Sequence, residues 1–312
     1  MRVRINKPGL LTTVQDRGRW GYQAMGVPVA GPMDAYSHRL ANALVGNDES
    51  AATLEVTLVG PELEFVDARA IAVVGAEFDG LTTTLIHVNA GDRLVFGRRA
   101  RGARAYVAIS GGVETPVVLG SRATHLPSAM GGVDGRALKA GDELPLGPTV
   151  RPADRRVKTR RYAGRVQVEL PGSSAIVRVL PGPQDDRFTA DALDALQSAT
   201  YRIDTNSNRM GYRLSGPRLK HVAGADIISD ATPFGSVQVP ASGQPILLMA
   251  DRQTTGGYAT IATVISADVR LAGQLAPGDE IRFAVCTPAD ALAALIAQEQ
   301  SLMTMSTMSG DR

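Results

Sequence analysis

Residues 235–265, GSVQVPASGQPILLMADRQTTGGYATIATVI, form the stretch that decides the fold. Two short apolar runs lie in it, ILLM at 246–249 and IATVI at 261–265. Runs of this length that are rich in β-branched residues and bounded by glycine and proline are typical of buried strands rather than helices. The stretch therefore predicts two buried strands with a polar loop between them.

The loop between these strands is more polar than a turn requires. Every side chain from Asp251 to Thr255 can form hydrogen bonds, and a glycine pair allows a tight turn or close approach to a ligand. We interpret the loop as the wall of a polar pocket, with Asp251 as a candidate catalytic acid or base. A solvated loop tip is the alternative. The candidate substrate-binding residues of the loop are Gln253, Thr254, Thr255, Gly256, Gly257 and Tyr258.

Composition favours a mainly β protein with a few helices. The 312 residues include 33 glycines and 18 prolines, and only 4% are aromatic, which is typical of many short strands and turns. The length suits two domains. We expect β-rich halves at 1–150 and 165–300, a basic linker at 151–164 and a disordered tail at 301–312.

Charge and hydropathy limit the kinds of partner. The net charge of +2 exerts little attraction on nucleic acid or on an anionic membrane, and the basic run at 151–161 lacks interleaved aromatic residues. No apolar run approaches the length of a membrane span, and the first residues read as a strand rather than a signal peptide. We expect a cytoplasmic protein without nucleic-acid or membrane partners.

Several enzyme classes lack their motifs here. The sequence contains no Gly-Lys dipeptide, so a Walker-type phosphate loop is excluded, and neither a nucleophile elbow nor a dinucleotide-binding glycine pattern follows a strand. The four histidines have no ligand-like spacing with one another or with Cys286, and we therefore expect no metal site.

Further candidates lie in predicted loops outside the central stretch. Asp16 is a second candidate catalytic residue, although a loop-closing hydrogen bond is an equally good interpretation. Arg209 and Arg213, which are four residues apart, are suited to binding a carboxylate or phosphate. The alternative is that both are simply surface residues. We expect Asp251 to pair with one of these two arginines. The further candidate substrate-binding residues are Gln15, Arg19, Gln184, Arg209 and Arg213.

A series of motifs resembles one family in order along the chain. The chain resembles the allophanate hydrolase subunit 2 family, which is also called KipA-type or the C-subunit family of 5-oxoprolinase, and one half of the carboxyltransferase domain of urea carboxylase. The motifs are Thr12-Thr13-Val14-Gln15-Asp16, Gly31-Pro32-Met33-Asp34, Leu119-Gly120-Ser121-Arg122-Ala123-Thr124, Pro181-Gly182-Pro183-Gln184, Arg209-Met210-Gly211-Tyr212-Arg213-Leu214 and the central stretch. One departure lies before the Gly-Ser-Val-Gln-Val-Pro segment, where Asp230-Ala231 replaces the Glu-Gly usual in the family.

The resemblance implies a fold, a reaction and partners. The implied fold is a pair of cyclophilin-like β-barrel subdomains. The implied activity is that of one subunit of an ATP-dependent amide or lactam hydrolase, with ATP implied by the resemblance alone. The implied partners are a protein of the allophanate hydrolase subunit 1 type (the B-type subunit of 5-oxoprolinase), a LamB/YcsF-type protein (the A-type subunit of 5-oxoprolinase), and a small amide substrate.

Two other functions stay open at this point. The chain could be the carboxyltransferase component of a biotin-dependent system acting on urea or a related amide. It lacks the biotin-accepting Met-Lys-Met motif, so a separate protein would have to carry biotin. A non-enzymatic role as the regulatory partner of a kinase-inhibitor protein is the third possibility.

Overall fold

The computed structural model describes residues 1–81, 83–149 and 168–310, with side chains as far as Thr304. The chain divides into two compact units. The first contains the described residues of Met1–Arg19, Ala30–Leu170 and Gln300–Arg312, and the second contains Trp20–Val29 and Pro171–Glu299. This division differs from the predicted one because residues 20–29 group with the second unit and residues from 300 onward with the first. The predicted linker at 151–164 lies outside the described residues.

The first unit consists of two sheets and a helix. In chain order its elements are β1 Arg2–Lys7, β2 Leu11–Gln15, α1 Ala35–Val45, β3 Thr53–Thr57, β4 Glu62–Phe65, β5 Arg69–Phe78, β6 Thr84–Val88, β7 Arg93–Val95, β8 Arg99–Ile109 and β9 Glu143–Pro145. Strands β7, β4, β1 and β9 form one sheet, and β2, β3, β8, β5 and β6 form the other. In β1, Val3 and Ile5 are buried while Arg2 and Arg4 are exposed, as the period of a strand requires.

Helix α1 begins where the sequence provides a cap. The carboxylate of Asp34 accepts a hydrogen bond from the backbone N–H of Ser37 at 2.9 Å, and Gly46 ends the helix with φ of 73°. The side chain of Asn42 donates to the carbonyl of Ala51 at 2.7 Å and so supports the loop that follows the helix. Because the helix begins at Ala35, Pro32 lies before it.

The second unit is organised around a closed barrel. In chain order its elements are β10 Ser174–Pro181, α2 Ala190–Ser198, β11 Tyr201–Ile203, β12 Gly211–Ser215, β13 Asp226–Ala231, β14 Ser236–Gln238, β15 Ile246–Leu248, β16 Thr255–Tyr258, β17 Thr260–Val264, α3 Val269–Gly273 and β18 Glu280–Val285, followed by α4 Pro288–Gly310. The barrel order is β10-β17-β14-β15-β12-β11-β18, and β18 pairs parallel with β10 to close it. Its interior includes Val177, Tyr212, Val237 and Phe283.

The fold class is confirmed as mainly β with a few helices. Closure into a barrel is found in the second unit, whereas the first unit arranges its strands in the two sheets described above. The two buried strands of the central stretch are confirmed as β15 and β17. The segment between them is not a simple loop, because residues 255–258 form β16 and pair with β13 in a separate two-stranded sheet.

The last helix differs from the sequence-based expectation. Helix α4 continues to Gly310, where disorder was expected from residue 301. Leu302 is buried with α1 and the sheet beneath it, and the hydroxyls of Tyr36 and Ser301 lie 3.0 Å apart. The packing of Leu302 stabilises the helix in this segment, although the sequence of the helix is only weakly amphipathic. No described helix, α4 included, combines the length and the apolar composition that crossing a bilayer requires.

Candidate functional site

A cavity of about 250 Å³ lies within the second unit, between the barrel wall and the β13–β16 pair. The polar side chains that line it are carboxamides and hydroxyls, with a single carboxylate and no Lys, Arg or His. The lining residues are Pro183, Gln184, Ile227, Asp230, Ala231, Pro233, Ser236, Gln238, Gly256, Thr260 and Thr263. This composition suits an uncharged ligand that forms hydrogen bonds.

The barrel wall presents polar side chains because of strand geometry. Ser236 and Gln238 are two residues apart on β14 and share one face, while Val237 between them is buried in the barrel. On β17, Thr263 pairs with Ser236 and Thr260 pairs with Gln238, although the two threonines are three positions apart and Ser236 and Gln238 only two. A β-bulge at Ile261 explains this register, since one extra residue returns the next side chain to the same face.

The Pro-Gly-Pro-Gln segment fits against this bulge. The N–H of Gly182 donates to the carbonyl of Ile261 at 2.9 Å. A Cβ at Gly182 would lie 2.1 Å from the carbonyl oxygen of Thr260, so only glycine allows the approach. The side-chain oxygen of Gln184 accepts from the N–H of Thr260 at 3.1 Å, and its amide nitrogen has no hydrogen-bond partner within the described part of the chain. The predicted site residue Gln184 therefore lies at the cavity.

The opposite wall approaches Gln238 closely. Asp230 on β13 pairs with Gly256 on β16, and both line the cavity. A Cβ at Gly256 would lie 2.7 Å from the side-chain nitrogen of Gln238, so a larger residue here would displace the end of that side chain. The Asp230-Ala231 departure from the family pattern thus lies in the wall of the cavity itself.

Asp251 forms a buried ion pair beside this site. Arg209 donates to both carboxylate oxygens of Asp251, through Nε at 3.0 Å and Nη2 at 2.9 Å, which confirms the predicted pairing with one of the two arginines. Neither side chain is among those that line the cavity. Arg213, the other candidate, is exposed on β12. In this position Asp251 orders the segment that leads into β16.

Arg252 anchors the same segment from its other side. Its Nε donates to the carbonyl of Thr232 at 2.6 Å, and its guanidinium lies 5.4 Å from the ring centre of Phe234. Burial lowers the pKa of Arg252 to about 10. The hydroxyl of Thr232 donates to the carbonyl of Gln253, so the turn into β16 is joined to the end of β13.

Two of the remaining predicted residues of this segment contact Gln238. Gln253 donates to the side-chain oxygen of Gln238 at 3.4 Å, and the nitrogen of Gln238 donates to the carbonyl of Tyr258, also at 3.4 Å. Thr254 contributes its carbonyl to the N–H of Thr232 at 3.1 Å. Thr255 and Gly257 lie on β16, outside the cavity lining.

Four polar residues of the cavity were not predicted from the sequence: Ser236, Gln238, Thr260 and Thr263. Period-two alternation in Gly-Ser-Val-Gln-Val-Pro was a usable signal for the first two, because it places both on one face of a strand. Thr260 and Thr263 could not be identified in this way. They lie on the same face of β17 because of the bulge at Ile261, and the sequence does not show that bulge.

Three predicted site residues lie in the first unit and are engaged in its loops. Asp16 accepts from the hydroxyl of Ser121 at 2.6 Å and from the backbone N–H groups of Gly18 and Arg122. Gln15 donates to the carbonyl of Thr124 at 3.0 Å. These contacts correspond to the loop-closing interpretation of Asp16.

Arg19 has a similar setting in the same unit. It is buried and donates to the carbonyls of Val118 and Ala123, at 3.0 and 2.8 Å.

The described residues contain no group of three or more His, Cys, Asp or Glu side chains placed to hold a metal ion. The cavity of the second unit, which contains the predicted residue Gln184, is taken as the candidate site.

The strand topology defines a mainly β protein with a closed barrel, and the cavity lies against the wall of that barrel. The sequence matches the family described as "Carboxyltransferase domain, subdomain A and B" over residues 25–285, and the chain belongs to this family. The resemblance drawn from the motifs is thereby confirmed.

Individual relatives give a finer comparison. The chain is 38% identical over 305 residues to the 5-oxoprolinase C subunit of Escherichia coli strain K12, covering 96% of each chain. It is 36% identical over 278 residues to the 5-oxoprolinase C subunit of Haemophilus influenzae, covering 87% of each. The crystal structure of Kluyveromyces lactis urea carboxylase aligns with a TM-score of 0.87 at 32% identity. That alignment covers 97% of this chain but only 29% of the carboxylase chain.

Proposed function

We propose that this chain is one subunit of an ATP-dependent amide or lactam hydrolase of the 5-oxoprolinase or allophanate-hydrolase type. The observation that carries the proposal is the cavity of the second unit, whose carboxamides and hydroxyls complement the N–H and C=O groups of an amide. Near-complete alignment with the 5-oxoprolinase C subunit of E. coli supports the lactam as the substrate class.

The cavity equips the chain to bind an amide rather than to cleave it alone. Its lining contains hydroxyls and one carboxylate, Asp230, but no His, Cys or Lys to complete a nucleophile–base pair. An unactivated amide needs such groups or a means of activating its carbonyl. We therefore assign the missing groups to partner proteins, one of the allophanate hydrolase subunit 1 type (the B-type subunit of 5-oxoprolinase) and one of the LamB/YcsF type.

The cavity does not fit ATP. A triphosphate requires cationic side chains, a metal ion or clustered backbone N–H groups, and no Lys or Arg lines this cavity. We propose that the nucleotide binds elsewhere in the complex, and no step of the reaction is assigned to ATP on these residues.

Reconstitution tests the proposal. The purified chain is mixed with the subunit 1-type protein and the LamB/YcsF-type protein, and ATP-dependent release of glutamate from 5-oxoproline is measured. We expect turnover only in the complete mixture. Gln184→Ala in this chain should lower turnover while Gln197→Ala, an exposed glutamine on α2, should not. Full turnover by the other two proteins without this chain would overturn the proposal.

Carboxyl transfer is a second candidate, favoured by the alignment with urea carboxylase. It predicts that turnover requires bicarbonate and a biotin-carrying protein, and that avidin abolishes it. Turnover that is insensitive to avidin and bicarbonate would exclude this candidate. Partner binding without turnover under either set of conditions would instead favour the regulatory role.

A further inference from the structure

Ser128 and His125 form a hydrogen-bonded pair in a short turn of the first unit. The Oγ of Ser128 lies 2.6 Å from Nδ1 of His125, which is short for a hydrogen bond. Ser128 is exposed, whereas only 5% of the His125 surface is accessible. An accessible hydroxyl in contact with a firmly held imidazole is the arrangement of a nucleophile and its general base.

The backbone shows which ring nitrogen is the acceptor. The N–H of Ser128 also donates to Nδ1 of His125, at 3.3 Å, and a backbone N–H cannot accept. Nδ1 therefore carries a lone pair, and the proton of the neutral ring lies on Nε2. The hydroxyl of Ser128 donates to the same lone pair. Its proton thus points at the group that would remove it.

Backbone hydrogen bonds hold this turn in place. His125 and Met130 exchange two of them, at 2.8 and 3.2 Å, and the N–H of Ala129 donates to the carbonyl of Leu126 at 3.2 Å. Ala129 directly follows Ser128 and has a φ of 49°, in the left-handed region that residues other than glycine rarely adopt. The turn therefore fixes the hydroxyl and the imidazole relative to each other, which favours proton transfer between them.

Ser50 has the same arrangement with a different base. It is exposed in the same unit, and its N–H and Oγ both donate to one carboxylate oxygen of Asp48, at 2.8 and 2.5 Å. These hydrogen bonds lower the pKa of Asp48 below its ordinary value. A carboxylate is a much weaker base than an imidazole. Ser50 therefore matches Ser128 in exposure and hydrogen bonding but not in the strength of its base.

We propose that Ser128 is a nucleophile that accepts an acyl group from an activated acyl donor, such as an ester, a thioester or an acyl phosphate. The hydroxyl oxygen attacks the carbonyl carbon while its proton passes to Nδ1 of His125. The bond to the leaving group then breaks, His125 returns the proton to the leaving group, and Ser128 keeps the acyl group as an ester. This site lies in the first unit and does not depend on the proposed function.

Acetylation of the full chain by p-nitrophenyl acetate tests the proposal. The chain is digested at successive times, and acetylation of the peptides that contain Ser128 and Ser50 is quantified by mass spectrometry. We expect Ser128 to react at least about a hundredfold faster than Ser50, because assistance by a general base contributes about a hundredfold or more. Equal rates at the two serines would overturn the proposal.

Two alanine variants identify the reacting group. Ser128→Ala should remove the fast phase of p-nitrophenolate release, because the nucleophile is lost. Ser50→Ala, at the matched serine, should retain that phase. A fast phase that persists in Ser128→Ala would assign the reaction to another group and would contradict the role of Ser128.

A histidine variant isolates the base. His125→Gln should lower the rate of acetylation at Ser128 about a hundredfold, to that of Ser50. Because His125 is buried, the midpoint of urea unfolding is measured for the same variant, and the comparison of Ser128 with Ser50 in the wild type decides the proposal if the variant does not fold. An unchanged rate at Ser128 in the folded variant would show that His125 is not the base.

Discussion

Arg209 and Asp251 form a bidentate ion pair in which both side chains are buried, although 42 residues separate them in the chain. The backbone reinforces the pair, since the N–H of Asp251 donates to the carbonyl of Arg209 at 2.8 Å. These contacts join the segment before β12 to the segment after β15. They hold the start of the turn that leads to β16, and through β16 they support one wall of the cavity.

Loss of the Asp251 charge should destabilise the second unit. Asp251→Asn removes the carboxylate that faces a buried guanidinium, and breaking a buried pair in this way costs about 3–5 kcal/mol. Urea unfolding followed by circular dichroism measures the effect. Asp194→Asn, at an exposed acid on α2, is the control and should change stability by less than about 0.5 kcal/mol. Equal stability of the two variants would show that the pair has no structural role.

His38 should make stability depend on pH. Burial lowers its pKa to about 4, against smaller opposing effects of Asp16 and Glu55, while its Nδ1 lies 2.9 Å from the hydroxyl of Thr53. Because the unfolded chain binds a proton near pH 6.5 and the folded chain does not, stability should fall as the pH drops from about 6.5 towards 4. The loss at pH 5 should be about 2 kcal/mol relative to pH 7.5.

A histidine variant isolates this contribution. His38→Gln should remove most of the difference in urea midpoint between pH 7.5 and pH 5. His87→Gln, at an exposed histidine of β6, should leave it unchanged. An identical pH dependence in wild type and His38→Gln would contradict the explanation.

Gly182 should be intolerant of a side chain. Gly182→Ala places a Cβ against the backbone of Thr260, which cannot move without disturbing the bulge in β17. We expect a loss of about 1–3 kcal/mol, typical of overpacking. Gly172→Ala has no atom within 4 Å of the new Cβ and should be neutral or slightly stabilising. The melting temperatures of both variants are compared by thermal unfolding. Equal melting temperatures would show that Gly182 does not lie as close to the backbone of Thr260 as described.

Leu302 should contribute to the stability of the first unit. Its side chain is buried with α1 and the sheet, so Leu302→Ala should cost about 2–5 kcal/mol. Met303→Ala, at the exposed neighbouring position, should have little effect. Urea unfolding of both variants tests whether the end of α4 is packed. Equal stability of the two variants would show that Leu302 does not contribute to packing, as the disorder expected for residues 301–312 implies.

The sequence by itself determined the local structure and the family. Alternating and continuous apolar runs identified the strands of the central stretch, because side-chain burial follows strand period within a few residues. The cap that Asp34 forms at the start of α1 is also local, because it is a contact between near neighbours in sequence. The ordered motifs identified the family, and the polar stretch after β15 pointed to the neighbourhood of the cavity.

Only the tertiary structure decided which polar residues face the cavity. The bulge at Ile261 puts Thr260 on the face of Ser236 and Gln238, and the β13–β16 pair brings Gly256 within reach of Gln238. The burial of Leu302 is of the same kind, since it depends on a surface formed far away in the chain. Register and long-range packing arise from contacts between distant segments, and no local sequence period encodes them.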